Sequence, residues 1–335
     1  MMKMEQMDLL DKKILSELDL NCRKSHAMIA RSVRSSRAVV SYRIKKLEQQ
    51  NIIRKYITAI NLGKLGFNTY KIYFKLFGHD EIVGKEFVNY LLASTEVIHC
   101  IKTQGNFDFS IVVAVKNIIE LDNFLGDLRN KFSSIIRDYR LSIIVSSKVF
   151  GRVKILLGKR EQTPKVENFS GACENIILDD KDKKILWALS EDASKPIMDV
   201  AKKTGLTTDI AKYRIKKLVQ SGVINNFRLL FDINRMGFYH YVFLLNMRSA
   251  TKKDEGKIIT WCQLNENVLY ITKRVGFWDH EINVALKNID EFNAFANALE
   301  KEFSQTITSY ETIIASEVLK LTYFPFENPL EKSKK

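Results

Sequence analysis

The chain has 335 residues, with 53 Lys and Arg against 39 Asp and Glu, and 46% of its residues are hydrophobic. This composition is typical of folded domains and excludes general disorder and fibrous structure. The longest uncharged apolar stretches, such as residues 111–115, are strand-sized and much shorter than the roughly 20 residues of a membrane span. The net charge of +14 favours a polyanionic partner, nucleic acid first and a membrane surface second.

The N-terminal residues carry charge at Lys3 and Glu5 and contain no apolar signal segment, which predicts a cytoplasmic location. The four cysteines lie far apart without a Cys-x-x-Cys pair, so we expect reduced thiols instead of disulfides or a zinc site. The five histidines show no metal-binding spacing, and neither a metal nor a cofactor is expected.

The sequence contains two copies of one unit, 171 residues apart. Asp11–Leu15 recurs as Asp182–Leu186, and Tyr42–Leu47 recurs as Tyr213–Leu218, with no insertion or deletion between them. So long a period does not suit a solenoid and indicates a tandem duplication that forms a fused dimer. Between the copies, residues 158–172 are polar and show neither helical nor strand periodicity, which is typical of a linker.

Positive charge follows the first part of each copy. Residues 1–60 hold 13 basic and 6 acidic side chains (+7), and residues 172–231 hold 11 and 8 (+3), whereas residues 232–335 hold 13 and 14 (−1). We therefore expect the polyanion to bind the first part of each copy.

The first sixty residues predict three short helices. Residues 8–19 have apolar side chains at helical spacing, and Ser25 can cap a second helix. A third helix runs from Ser36 to about Gln50, with an apolar face and many basic residues elsewhere. Three short helices with a tight turn before a basic third one indicate a helix-turn-helix domain. The second copy has Gly205 in that turn, where the first copy has Arg34.

A short β-rich run follows each third helix, at Ile52–Ile57 and at Val223–Arg228, and is interpreted as a wing strand. At this level the sequence resembles the Lrp/AsnC family, the feast/famine transcription regulators of bacteria and archaea. The family's unit occurs twice, and the two units together cover nearly the whole chain. The resemblance depends on the following segments: Leu9/Leu10-Asp11-x-x-Ile14-Leu15, Ser25-x-x-x-Ile29-Ala30, Tyr42-Arg-Ile-x-x-Leu47-Glu48, Ile52-Ile53 and Ile60-Asn61-x-x-x-Leu65-Gly66.

The helix-turn-helix interpretation predicts which side chains contact DNA. Residues expected near base edges lie at the start of each third helix: Ser35, Ser36, Arg37, Ser41, Thr207, Thr208 and Lys212. Residues expected near phosphates lie later in the helix or in the following strand: Arg43, Lys45, Arg54, Lys55, Arg214 and Lys216. The residues expected to contact DNA differ between the first and the second copy, so we expect an asymmetric operator.

The second part of each copy predicts the strand and helix order βαββαβ, the ferredoxin-like plan. Its first strand, from Asn68, alternates between an apolar face and a face with Lys71, Tyr73 and Lys75, as a half-buried strand does. The counterpart Tyr241–Leu245 hardly alternates, so both of its faces are expected to be covered. Asp279 and Glu281, two positions apart, either share a proton or a cation or form a wet face of a strand.

The predicted fold class is therefore α+β, with two winged helix-turn-helix domains and two ferredoxin-like domains in tandem. The predicted divisions are helix-turn-helix domains at 1–60 and 178–231, effector-type domains at 61–157 and 232–335, and a linker at 158–177. The family resemblance implies an amino-acid effector near a Gly-x-x-Asp turn at a subunit interface, which matches Gly105, Asp108, Gly276 and Asp279. An alternative is that these glycines simply allow positive φ in a hairpin and that the aspartates bond turn amides.

The sequence leaves three functions open. The first is a sequence-specific regulator that binds double-stranded DNA, with a small-molecule effector such as an amino acid and with further association of pseudo-dimers. The second is an enzyme that resembles siroheme decarboxylases, which need basic and histidine side chains around a carboxylate-rich tetrapyrrole; here His99 has no evident partner. The third is an architectural protein that binds DNA without sequence specificity.

Overall fold

The computed structural model describes residues 7–78, 81–157, 166–171, 174–248 and 251–330. The first copy contains these elements in chain order: α1 (Leu9–Leu20), α2 (His26–Val33), α3 (Arg37–Gln49), β1 (Ile53–Ile60), β2 (Asn68–Leu76), α4 (Glu81–Ala93), β3 (Val97–Gln104), β4 (Phe109–Val115), α5 (Ile118–Phe132) and β5 (Ile136–Val149). Two short elements, α6 (Val153–Leu157) and β6 (Glu167–Ser170), connect the copies. The second copy repeats the order: α7 (Asp180–Glu191), α8 (Ile197–Thr204), α9 (Thr208–Gln220), β7 (Ile224–Phe231), β8 (Tyr239–Met247), α10 (Lys252–Leu264), β9 (Val268–Gly276), β10 (His280–Leu286), α11 (Ile289–Phe303) and β11 (Ile307–Leu321).

We call α1–α3 the first head and α7–α9 the second head. Side-chain caps define where the helices of the first head begin: the hydroxyl oxygens of Ser25 and Ser36 accept hydrogen bonds from backbone amides in the first turns of α2 and α3. The turn before the recognition helix is left-handed in both heads, at Arg34 (φ 56°) and at Gly205 (φ 69°). Arg34 therefore adopts the conformation that glycine adopts more readily, and the two turns have the same shape.

In the described part of the chain, eight strands form a closed ring. Its order is β2-β4-β3-β11-β8-β10-β9-β5, and β5 pairs with β2 to close it. Each copy contributes four consecutive strands in the ferredoxin-like order, and the contacts β3–β11 and β5–β9 join the copies. The long strands β5 and β11 each pair first with a strand of their own copy and then with a strand of the other copy. The strands of both copies therefore form one continuous closed sheet.

The inner face of the ring is covered by the other copy. Tyr73 and Phe107 of the first copy pack with Leu244 and Trp278 of the second copy in one buried cluster. The expectation of a half-buried first strand was therefore wrong, because Lys71 and Tyr73 are only 4% and 1% exposed. The expectation that both faces of the counterpart strand are covered is confirmed, since the residues 242–245 are all buried.

The strands that follow the two heads, β1 and β7, pair with each other in antiparallel register, with Ile57 opposite Arg228. We call this two-stranded sheet the ribbon. The expected wing strands are thus not separate wings, because each finds its hydrogen-bonding partner in the other copy. The ribbon lies within a hydrophobic core that both heads share, with Ile14 and Leu47 from one head and Leu186 and Leu218 from the other. The two heads are consequently held in a fixed relation.

The predicted linker is partly structured. Residues 167–170 form β6, which pairs with the end of β5 at Ser146–Val149. The sequence shows no periodicity there because an edge strand of four residues is held mainly by backbone hydrogen bonds. Residues 158–165 and Cys173 lie outside the described residues. None of the helices in the described part of the chain combines the length and the apolar character that a membrane crossing requires.

Candidate nucleic-acid interface and central cavity

The recognition helices α3 and α9 present matching outer faces. Val40, Ile44 and Leu47 point into the core of the first head. The opposite side of α3 is exposed and contains Tyr42, at 67%, together with Lys45. In α9 the equivalent positions hold Tyr213, at 66% exposed, and Lys216. Both helices therefore offer a tyrosine and a lysine to a partner in solution.

The residues predicted near base edges lie at the start of these helices. Arg37, Thr208 and Lys212 are exposed there. Ser36 and Thr207 are also exposed, but each is the N-cap of its helix and accepts a hydrogen bond from a backbone amide. Their hydroxyl groups thus shape the helix start and keep a donor proton available.

Two other predicted base-edge residues are less accessible. Ser35 is half-buried in the turn, and Ser41 is half-buried against α2, where its Oγ lies 2.7 Å from Nδ1 of His26. The corresponding side chain of the second copy, Lys212, is exposed. The two heads therefore differ in structure as well as in charge. Ser41 packs against α2 in the first head, whereas Lys212 at the same position of the second head is exposed.

The residues predicted near phosphates fall into two groups. Lys45 and Lys216 are exposed on the recognition helices, and Arg54 is exposed at the start of the ribbon. Lys55 lies within the ribbon, where its Nζ donates a hydrogen bond to the carbonyl oxygen of Leu321 at 3.2 Å, and burial lowers its pKa. Lys55 therefore connects the ribbon to the ring and does not extend towards a partner.

Arg43 and Arg214 require a correction. Nη1 of Arg43 lies 2.7 Å from Asp8 and 3.2 Å from Asp11. Arg214 forms the same pairs with Asp179 and, at 3.0 Å, with Asp182. The hydrogen bond from Arg214 lowers the pKa of Asp179. Both arginines tie a recognition helix to the first helix of its head, so their expected role at phosphates is replaced by a positioning role.

Sequence reasoning missed Tyr42 and Tyr213 as candidate contacts. Each lies three positions before the lysine on the same helix face, and opposite the apolar positions that form the core. A helical projection of α3 places Tyr42 on the face opposite the core, and this is the signal in the sequence that identifies it. Exposed tyrosines next to lysines are suited to contact sugar, phosphate or base edges.

The Gly-x-x-Asp turns lie between strands β3 and β4 and between β9 and β10. Gly105 and Gly276 have positive φ values of 118° and 135°, as a hairpin there requires. Asp108 accepts a hydrogen bond from the amide of Leu76 at 2.8 Å, and Asp279 accepts one from the amide of Met247 at 2.6 Å. The aspartates thus bond the ends of β2 and β8 instead of their own turns.

Both turns also lie at the contact between the copies. A Cβ atom added to Gly276 would approach the carbonyl oxygen of Leu141 in the other copy to 2.9 Å. Phe107 and Trp278, which belong to these turns, are buried in the core inside the ring. The place of the turns at an interface is as the resemblance implied, and a role in effector binding stays a prediction.

A central cavity of about 710 Å³ lies between the ribbon and the inner face of the ring. Ile57, Ala59 and Leu229 of the ribbon line one side. The other side is lined by strands of both copies, including the following side chains: Lys71, His99, His240, Tyr270, Arg274 and Glu281. Volumes of this size are typical of small-molecule sites. His99, which had no partner in sequence, thus shares a cavity with His240.

Three guanidinium groups around the central cavity, those of Arg152, Arg228 and Arg274, are paired with carboxylates. Arg228 lies 3.3 Å from Asp19 and 3.4 Å from Glu167, and Arg152 lies 3.4 Å from Asp19. On the neighbouring strands β9 and β10, Arg274 pairs with Glu281, which also accepts a hydrogen bond from the hydroxyl of Tyr73 of the first copy at 2.6 Å. The wet-face alternative for Glu281 was therefore wrong, because this carboxylate is 2% exposed and belongs to a network that joins the copies.

Lys71 differs from these cations. It is 4% exposed, and within the described part of the chain its ammonium group has no hydrogen bond or ion pair; it lies 5.4 Å from the centre of the Tyr73 ring. Burial, and then the nearby charge of Arg274, lower its pKa to about 7. Burial also lowers the pKa of His240 to about 4 and the pKa of His99 well below its ordinary value, so both imidazoles are neutral at pH 7.

Comparison with known proteins decides the family. A winged helix-turn-helix DNA-binding model matches residues 7–54, and an AsnC-type helix-turn-helix model matches residues 178–219. The HTH-type transcriptional regulator FL11 of Pyrococcus furiosus is 32% identical over 121 residues, which make up 36% of this chain and 78% of that relative. The chain belongs to the Lrp/AsnC family. Regulatory protein AsnC of Haemophilus influenzae is 27% identical over 139 residues, 41% of this chain and 91% of its own length.

The unit is present twice, since a helix-turn-helix model matches each copy and each of these relatives matches less than half of the chain. A solved structure with the same arrangement over almost the whole length is that of the siroheme decarboxylase NirDL. It has a TM-score of 0.61, covers 97% of both chains and is 15% identical in sequence. At this identity the likeness shows the fold, a tandem of two heads on two ferredoxin-like domains, and does not transfer an activity.

Proposed function

We propose that this chain is a sequence-specific, DNA-binding transcription regulator that places two unlike recognition helices on one asymmetric operator. The observation that carries the proposal is the arrangement of the heads. Each presents an exposed tyrosine and lysine on its recognition helix, and the shared core around the ribbon fixes one head relative to the other. Residues at the start of the helices differ, with Ala38 in one head where Asp209 lies in the other. An aspartate can accept a hydrogen bond from cytosine, which alanine cannot do.

The proposal is tested by selecting bound fragments from a random duplex DNA pool at physiological salt with excess competitor DNA. We expect an enriched motif whose two halves differ in sequence and are separated by about one helical turn or a multiple of it. A palindromic motif would contradict the unlike heads. Salt-sensitive retention without a motif would favour the architectural alternative, and no retention would contradict DNA binding altogether.

A charge-reversal variant tests the placement of the recognition helices. Lys45→Glu combined with Lys216→Glu is expected to weaken operator binding by about 100-fold and to flatten its dependence on salt, because each exposed lysine neutralises a phosphate. Affinity is measured by fluorescence anisotropy at several salt concentrations. The control is Lys85→Glu with Lys253→Glu, which changes the net charge equally on exposed helices of the ferredoxin-like domains. Equal losses in the two variants would contradict the placement.

Two parts of the regulator proposal stay predictions from the family resemblance. One is an amino-acid effector near Gly105, Asp108, Gly276 and Asp279. The other is the association of pseudo-dimers into larger assemblies. The hydrogen bonds of Asp108 and Asp279 support a structural contribution of both carboxylates, whether or not an effector binds beside them.

A second candidate is a siroheme-decarboxylase-like enzyme, and the central cavity favours it because His99 and His240 lie there with several basic groups. The charge distribution favours the regulator. Arg152, Arg228 and Arg274 are each paired with a carboxylate, whereas a carboxylate-rich tetrapyrrole requires several uncompensated cations. Absorbance titration with iron-uroporphyrin III separates the candidates: a saturable, stoichiometric spectral shift would support the enzyme, and the regulator proposal expects none.

A further inference from the structure

Among the described residues that line it, the central cavity contains one buried cation without a counter-charge. The ammonium group of Lys71 extends from β2 inside the ring, and among the described residues it contacts the ring of Tyr73 but no acceptor. The positive charge of Arg274 lies nearby and is already neutralised by Glu281. An unpaired buried ammonium is costly, and its cost is removed when an anion binds beside it.

The apolar and aromatic part of the lining is suited to an apolar or aromatic body. Tyr270 and Tyr323 of the second copy line the cavity, and Ile98 and Leu229 add aliphatic surface. The neutral imidazole rings of His99 and His240 add flat surface without charge. The chemistry of the site thus fits a molecule with one anionic group and an apolar or aromatic remainder, within about 710 Å³.

The cavity is also connected directly to the heads. Its ribbon side is formed by Ile57 and Leu229, which lie on β1 and β7. Only three residues separate the end of each recognition helix from the ribbon, since α3 ends at Gln49 and β1 begins at Ile53, and α9 ends at Gln220 and β7 begins at Ile224. A molecule in the cavity therefore touches the element that sets the distance and angle between the two recognition helices.

We infer that the central cavity is an effector site for a small organic anion with an apolar or aromatic body, anchored by Lys71, and that its occupancy changes operator affinity through the ribbon. This site is separate from the Gly-x-x-Asp turns. The inference on regulation rests on the proposed DNA-binding function. Because the coupling is reciprocal, operator binding changes the affinity for the anion by the same factor.

The test uses the full chain and 8-anilinonaphthalene-1-sulfonate, an aromatic anion, as the probe. We expect one molecule to bind per chain with increased fluorescence. Lys71→Met is expected to weaken this binding about 10-fold, the effect of losing a charge-assisted contact, whereas Lys71→Arg keeps it. Two controls isolate the charge: the neutral analogue N-phenyl-1-naphthylamine should bind both variants equally, and Lys85→Met, on an exposed helix, should bind the anion as the unmodified chain does.

The second readout is the affinity for the operator obtained by DNA selection. Saturating probe is expected to change it about 5-fold or more in the unmodified chain and not in Lys71→Met. Unchanged anion binding in Lys71→Met would overturn the site. Lys71-dependent binding without any change in operator affinity would overturn the coupling. If the unliganded chain selects no DNA, the proposed function fails instead, and the fluorescence titration still decides whether Lys71 anchors the anion.

Discussion

Replacing Arg228 by leucine is expected to lower the free energy of unfolding by about 3–5 kcal/mol, because it leaves Glu167 buried without its counter-charge and Asp19 with Arg152 alone. Arg228 is 8% exposed and lies between Asp19 of the first head and Glu167 of β6, which are 3% and 8% exposed. The leucine side chain is shorter than that of arginine and offers no hydrogen-bond donor to the two carboxylates. The loss is measured by urea unfolding at pH 7.

A control and a second variant make the measurement specific. Arg31→Leu removes an exposed arginine from α2 and is expected to change stability by less than about 0.5 kcal/mol. Adding Glu167→Gln to Arg228→Leu removes the carboxylate that has lost its counter-charge and should restore part of the loss. If Arg228→Leu were as mild as Arg31→Leu, the ion pairs would contribute nothing to holding the first head on the ring.

Replacing Lys71 by methionine is expected to have the opposite effect and to stabilise the chain by about 3 kcal/mol at pH 7 and below. Burial of the Lys71 ammonium group without a partner destabilises the folded chain, and the pKa of Lys71 falls from 10.5 to about 7 there. Between these values the unfolded chain binds more protons, so the stability of the unmodified protein rises with pH across that range.

The pH dependence identifies the cause of this stabilisation. Below pH 7 the lysine is charged in both states and its penalty is complete, whereas near pH 10.5 the penalty has been removed. The advantage of Lys71→Met over the unmodified chain should therefore shrink between pH 7 and pH 10, when compared with the exposed control Lys85→Met in urea unfolding. A destabilised Lys71→Met variant, or an advantage that stays constant with pH, would show that the ammonium already has a partner in the folded protein.

Local patterns in the sequence were sufficient to predict most elements of the fold. The helices Glu81–Ala93 and Ile118–Phe132 take the places of the two helices in the predicted βαββαβ order, because their apolar spacing and flanking polar residues act within one segment. The turn before the recognition helix was also predicted, although the first copy has Arg34 in place of glycine. The duplication strengthened these predictions, because each pattern in one copy has a counterpart 171 residues away in the other copy.

What the sequence did not show are the surfaces that one copy covers on the other. Lys71 and Glu281 alternate with apolar residues as water-facing side chains do, yet both are buried on the inner face of the ring. The alternation shows that the two faces of a strand differ in polarity, but it does not show which part of the protein covers the polar face. For the same reason Arg43 could be placed on a basic helix but not assigned to its ion pair with Asp8, which comes from a different helix.

The shared core of the two heads also affects how the protein responds to its own concentration. In a regulator made of separate chains, the competent dimer forms by association, so operator occupancy at low abundance falls more steeply than in proportion to the amount of protein. Here the second head is always present beside the first at a fixed distance, and its effective concentration does not depend on dilution. Covalent linkage also prevents exchange of subunits with other family members, so each half can change its sequence without altering the choice of partner.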